Sequence, residues 1–171
     1  GGLGCVWDES GGWAMVGVVA TGFGRTGNLL GSRAWGVKPD IMCFAKGITA
    51  GYVPLSATAF NARVAKAFDD SADFSGALMH GYTYSGHPVG CAMALAQIQE
   101  IKNGKLTARS QRLGEFLQRE LKSRLVSKSF RLAIRGRGLM VGVELCHRNG
   151  SPAPDETLSA IKALLQRGFV F

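Results

Sequence analysis

Apolar residues in this chain come first in short runs parted by glycine, and after residue 88 in longer stretches with helical spacing. Residues 14–20 (AMVGVVA) make a run of strand length, weakened by Gly17. Residues 28–36 predict a short helix or turn. Residues 41–45 (IMCFA) predict a central, buried strand. Residues 54–60 (PLSATAF) alternate well enough to predict another strand. Asn61 can cap a helix through Phe68 that turns Val64, Ala65, Ala67 and Phe68 inward. Residues 69–76 read as a polar loop. Pro88 suits the first turn of a helix continuing over 89–101, and Asn103-Gly104 breaks it. A second helix is predicted over about 106–125, with Leu106, Leu113, Phe116, Leu117 and Leu121 on one face. Strands at 131–134 and 139–145 flank a turn at 135–138. Pro152 and Pro154 bar helix from the loop at 151–154. A helix from Asp155 then carries Leu158, Ile161, Leu164 and Leu165 and ends at Gly168 as a C-cap would. Phe169-Val170-Phe171 reads as the start of a strand. Residues 1–13 have no usable periodicity.

One strand ends on a chemically useful group. The run at 41–45 stops at Lys46, and a turn containing Gly47 and Gly51 follows. A strand of that kind delivers an amine to the C-terminal edge of a sheet, where open α/β sheets bind ligands. Loss of hydration there favours the neutral amine, the form that Schiff-base chemistry needs. The same residues also fit a lysine that only caps a strand end.

Composition narrows the class. The chain has 171 residues, 46% hydrophobic and 19% charged, enough for a globular domain with a real core. No apolar run approaches the ~20 residues of a membrane span, no signal peptide is read, and a cytoplasmic location is expected. Cys5, Cys43, Cys91 and Cys146 form no CxxC pair, so neither zinc nor a disulfide framework is indicated and no metal ligand is assigned. The net charge is +8, and residues 102–137 hold eleven Lys or Arg against two Glu. A basic nucleic-acid-binding module is therefore one alternative. The solvated side of a helix fits better, because the apolar residues there keep helical spacing and no nucleic-acid motif is present.

Two loops add chemistry. TGFGRTG at 21–27 superficially resembles a phosphate cradle around Arg25, but it meets neither the GxxxxGK[ST] nor the GxGxxG order. At 80–88, HGYTYSGHP crowds aromatic and hydroxyl residues before a helix N-terminus, a place suited to an anion. A loop held by its own hydroxyls fits the same residues.

Taken together, TGFGRTG at 21–27, GVKPDIMCFAKGITAGYVPLSA at 36–57, HGYTYSGHPVGCAMALA at 80–96 and RGRGLMVGVEL at 135–145 resemble the class III (ω-type) aminotransferases, the fold-type I pyridoxal-phosphate enzymes. The likeness covers about residues 20–171. It implies an α/β fold: the latter part of a mostly parallel, helix-flanked sheet over 20–104. A linking helix and part of a small α+β C-terminal domain follow over 105–171. It implies that Lys46 is catalytic, forming the internal aldimine with pyridoxal 5'-phosphate and moving a proton between substrate and cofactor. It assigns Thr83, with Tyr82 beside it, to the cofactor phosphate of the other subunit, and so implies a homodimer. The substrates implied are an ω-amino acid, diamine or amine and a 2-oxo acid such as pyruvate. Neither nucleic acid nor membrane is an expected partner.

The chain also departs from the family pattern. The family carries an Asp four residues before the Thr of TGFGRTG, where it pairs with the pyridinium nitrogen; here that position is Gly17. Asp8-Glu9 lies thirteen residues before Thr21 and does not correspond. Residues 1–19 are expected to be aberrant, and the chain is expected to be a fragment without the family's N-terminal half and C-terminal end. A catalytically incompetent remnant is accordingly the second expectation. Loss of the pyridinium partner would cost on the order of several kcal/mol of carbanion stabilisation.

Overall fold

The computed structural model describes residues 13–70, 78 and 80–170, together with the backbone of Cys5 and Val6. The chain forms two compact units, residues 1–111 and 112–171. The polar loop expected at 69–76 falls mostly outside the described residues, as does Phe171.

The first unit is built on a four-stranded sheet in the order β1 (Cys5–Val6), β2 (Met15–Gly17), β3 (Ile41–Phe44), β4 (Ala57–Phe60). The α/β class stands, but the expected mostly parallel sheet is mixed among the described strands. Only β2 and β3 run parallel; β1 pairs antiparallel with β2, and β4 with β3. Residues 45–56 explain the return of β4. They are spent on a 3-10 turn at Lys46–Ile48 and further turns, with no crossover helix to carry the chain back to the same end. Between β2 and β3 the chain has room to cross, through the glycine-rich loop and a 3-10 helix at Gly31–Trp35.

Register sorts the side chains. Val16 is opposite Met42, and Gly17 is opposite Cys43, which is itself opposite Thr58. Val16 and Val18 are fully buried. They share their face with Met42 and Phe44, which meet Ser32 and Phe23 of the segment covering that face. β3 is half-buried at all four positions rather than fully buried as expected.

Helix α1 (Ala62–Asp69) starts where its cap predicts: the Asn61 side chain accepts from the Val64 N–H at 3.1 Å. Val64 is buried and Phe68 packs on Phe60, but Ala67 faces solvent, against expectation. Helix α2 (Pro88–Asn103) has Pro88 in its first turn. Helix α3 (Leu106–Arg124) contributes its first residues to this unit.

In the second unit, the rest of α3 accompanies a hairpin of β5 (Phe130–Arg137) and β6 (Met140–His147). The strands run through the expected turn at 135–138. Arg137 pairs with Met140, leaving Gly138-Leu139 as a two-residue loop with Gly138 at φ 55°. The turn is thus shorter than its glycines indicate. Helix α4 (Pro154–Gln166) begins on Pro154 rather than after it, since proline is tolerated in a first turn. It ends in a Schellman motif: Gly168, at φ 85°, donates to the Leu165 carbonyl, and Phe169 donates to that of Leu164, both at 3.0 Å. Much of the apolar face read along α3 and of the apolar set carried by α4 is exposed: Leu106, Phe116 and Leu117 on α3, and Leu158, Ile161 and Leu165 on α4.

Candidate active site

The site is built at the C-terminal end of β3. Asp40, immediately before this strand, anchors its other end. Its carboxylate accepts from the Ala14 N–H at 2.8 Å, from Asn61 Nδ2 at 2.7 Å and from the Arg63 guanidinium at 3.0 Å. The Ala14 N–H first, then Asn61 and Arg63, hold the Asp40 carboxyl below its ordinary pKa. Arg63 also lies over the Trp13 ring at 4.1 Å. The entries of β2, β3 and α1 are thereby tied to one carboxylate.

At the far end, Lys46 follows Ala45 directly and takes φ 47°, the left-handed region that non-glycine residues rarely adopt. The turn closes through Ile48 N–H to Ala45 carbonyl (3.2 Å) and Thr49 N–H to Lys46 carbonyl (3.3 Å). Thr49, 1% exposed, donates its hydroxyl to the Val53 carbonyl at 2.6 Å. Lys46 is exposed among the described residues, not enclosed as its position on a buried strand end predicts.

The glycine-rich loop 21–27 packs against this turn. Its glycines serve close packing. A Cβ on Gly22 would lie 2.6 Å from the Val18 carbonyl oxygen; Gly24 and Gly27 take φ 94° and 85°. Gly24 approaches Ile101 and Thr107, Gly27 approaches Gln111, and Ser110 Oγ donates to the Arg25 carbonyl at 3.0 Å. Arg25 itself is exposed. Phe23 is the residue that sequence reasoning passes over. Its ring meets Phe44 edge-on at 5.8 Å, and its Cβ is 3.0 Å from where a Cβ on Gly47 would stand. The available signal was a large apolar side chain between two glycines of an otherwise polar loop.

Tyr82 and Thr83 lie on an exposed turn before α2. The Ser85 hydroxyl accepts from the Tyr82 N–H at 3.0 Å, and Ser85 N–H donates to the Tyr82 carbonyl at 2.9 Å. His80 packs edge-on against Tyr82 at 4.9 Å. His87 caps α2, its Nδ1 accepting from the Gly90 N–H at 3.4 Å. Gly90 in turn packs on Leu55, just beyond the lysine turn. Loop 21–27, the Lys46 turn and the start of α2 are thus brought together, while Tyr82 and Thr83 point their hydroxyl-bearing turn to solvent. Among the described residues no group of three His, Cys, Asp or Glu could hold a metal ion, and no helix is long and apolar enough to cross a membrane.

The first unit thus places an amine at the end of an interior strand, with a glycine-rich loop packed beside it. The family model for class III aminotransferases matches residues 14–171, beginning six residues before the motif-based resemblance. An omega-aminotransferase from Caulobacter vibrioides is 40% identical over 134 residues, covering 78% of this chain and 30% of that protein. Among solved structures, a Bacillus anthracis aminotransferase superposes with TM-score 0.84 at 36% identity, over 91% of this chain and 35% of that one. An amine transaminase from an uncultivated Pseudomonas species, in its PLP-bound (internal aldimine) form, gives TM-score 0.68 at 46% identity, over 80% and 31%. The chain belongs to the class III aminotransferase family. It spans less than a third of the length of the curated relatives it matches.

Proposed function

We propose that this chain carries the reactive lysine of a pyridoxal-phosphate-dependent transaminase that moves an amino group from an ω-amino acid, diamine or amine to a 2-oxo acid such as pyruvate. The observation that supports this most directly is the placement of Lys46. Its amine leaves the end of an interior strand from a left-handed turn, beside a loop that packs against that turn. The donor set fits the cofactor: an amine for an aldehyde carbon, and Tyr82 and Thr83 hydroxyls on the turn before a helix N-terminus for a phosphate. In this reading the Lys46 amine would hold the cofactor and, once free, would carry the proton that leaves the substrate Cα. Tyr82 and Thr83 serve the phosphate of a partner copy, which makes a homodimer the functional unit. Bound pyridoxal phosphate supplies an electron sink for the pair left behind on Cα.

Gly17 favours a second reading for the chain as it stands. Its position, where the resemblance places the pyridinium-pairing carboxylate, offers no side chain, and a Cβ there would meet nothing within 4 Å. In that case the chain is a catalytically incompetent remnant of the family. Titration with pyridoxal phosphate, borohydride trapping and peptide mapping test the first reading. A stoichiometric adduct on Lys46 is expected, and label scattered over surface lysines would refute it. Turnover of amine with pyruvate by that same preparation would remove the second.

A further inference from the structure

We propose that Phe23 is a positioning residue for Lys46, holding the lysine backbone in its left-handed conformation and so fixing where the amine points. This rests on the role given to Lys46 above. Lys46 at φ 47° pays a conformational penalty that persists only where neighbours over-determine it. The hydrogen bonds from Ile48 and Thr49 close the turn but grip only carbonyls. The Phe23 side chain grips both flanks of the lysine. Its ring meets Phe44, two residues before Lys46, edge-on at 5.8 Å. Its Cβ and Cδ2 lie 3.0 and 3.4 Å from where a Cβ on Gly47 would stand. Gly47 is not among the positive-φ glycines, so its lack of a side chain serves this contact rather than a backbone angle.

The clamp has a rigid base. Phe23 is itself left-handed at φ 54°, and its N–H donates to the Leu29 carbonyl at 2.6 Å. Gly22, just before it, is pressed to the Val18 carbonyl, where a Cβ would lie 2.6 Å from the oxygen, and Gly24, just after it, is set at φ 94°. The backbone on both sides of Phe23 is thus constrained, which keeps the ring against the turn.

The test uses the full chain with Phe23→Ala, Phe23→Leu and Gly47→Ala. Two quantities are read: the Lys46 Cα chemical shift with its one-bond Cα–Hα coupling, which together distinguish positive from negative φ without any cofactor, and the share of borohydride-fixed pyridoxal phosphate on Lys46 relative to Lys38 and Lys66. Phe23→Ala and Gly47→Ala are expected to move the Lys46 shift away from its left-handed value. They should also lower its share of label about tenfold, the population change that strain of this size sets once its clamp is lost. Phe23→Leu, which keeps an apolar contact, should restore much of both. Should Phe23→Ala fail to fold, Gly47→Ala, one added methyl, carries the decision. A Lys46 shift and label share unchanged in folded variants would overturn the proposal. A parent chain with no Lys46 adduct, but a chemical shift that still follows Phe23, would instead sink the cofactor reading and leave the clamp standing.

Discussion

Asp40 shows how much one carboxylate can organise. It receives Ala14, Asn61 and Arg63, and Asn61 in turn caps α1. Its pKa is lowered in the folded chain, so its contribution to stability is present above the ordinary carboxylate value of about 3.9 and is lost as pH falls through the lowered value. Asp40→Asn is therefore expected to reduce the urea midpoint at pH 7. The gap between variant and parent should hold down to about pH 4 and close below it. A gap independent of pH would show that the geometry of the carboxylate matters and its charge does not. Gly17 yields the opposite kind of prediction. Because the space around it is open, Gly17→Asp should fold with little change in melting temperature. If the second reading holds, it should raise amine turnover by about a hundredfold, the scale of one well-placed electrostatic partner. Unchanged turnover in a folded, cofactor-loaded variant would separate position 17 from the chemistry.

At the scale of elements, α3 packs through its small residues. Ser110 is 6% exposed against the glycine-rich loop, and Gly114 is buried in the second unit, where a Cβ would fall 1.8 Å from the Gly138 carbonyl oxygen. Gly114→Ala is expected to cost about 3 kcal/mol by chemical denaturation, the upper part of the overpacking range. Gly142→Ala, whose nearest atom would be 3.9 Å away, should cost far less. This packing also explains what was legible in the sequence. Asn61, Pro88 and Gly168 act through their own backbone neighbourhood, and each marks its helix end where local rules place it. The strand at 41–44 and its terminal lysine were legible for the same reason. The buried line of α3 was not, because apolar periodicity points to Leu106, Phe116 and Leu117 while Ser110 and Gly114 make the contacts. Nor was the antiparallel return of β4, which depends on residues 45–56 closing as turns, or the seat of Phe23 on Gly47, which joins residues far apart in the chain.

For the molecule as a whole, the balance of covered and uncovered surface is informative. Val16, Val18, Ile48, Val64, Ala94, Ile101 and Ala153 are buried, yet Phe116, Leu117, Leu158, Ile161 and Leu165 stand exposed on two helices. Apolar surface of that kind drives association. The 171-residue chain is therefore expected to bind a hydrophobic dye and to elute above its monomer mass at micromolar concentration. A monodisperse monomer with a sharp, reversible melt would contradict this. The +8 charge does not change the expectation: Arg119 lies over the Phe116 ring at 5.4 Å, but Leu117 beside it and the apolar residues of α4 stay exposed.

The left-handed backbone at Lys46 has a thermodynamic consequence of its own. A residue with a side chain gives up about 1 kcal/mol to sit there, and glycine does not. Lys46→Gly should accordingly melt higher than the parent while losing the cofactor adduct at that position. On the role proposed for Lys46, the chain would then be more stable without the group that holds the cofactor. The fold and the proposed chemistry would ask for different amino acids at this one residue.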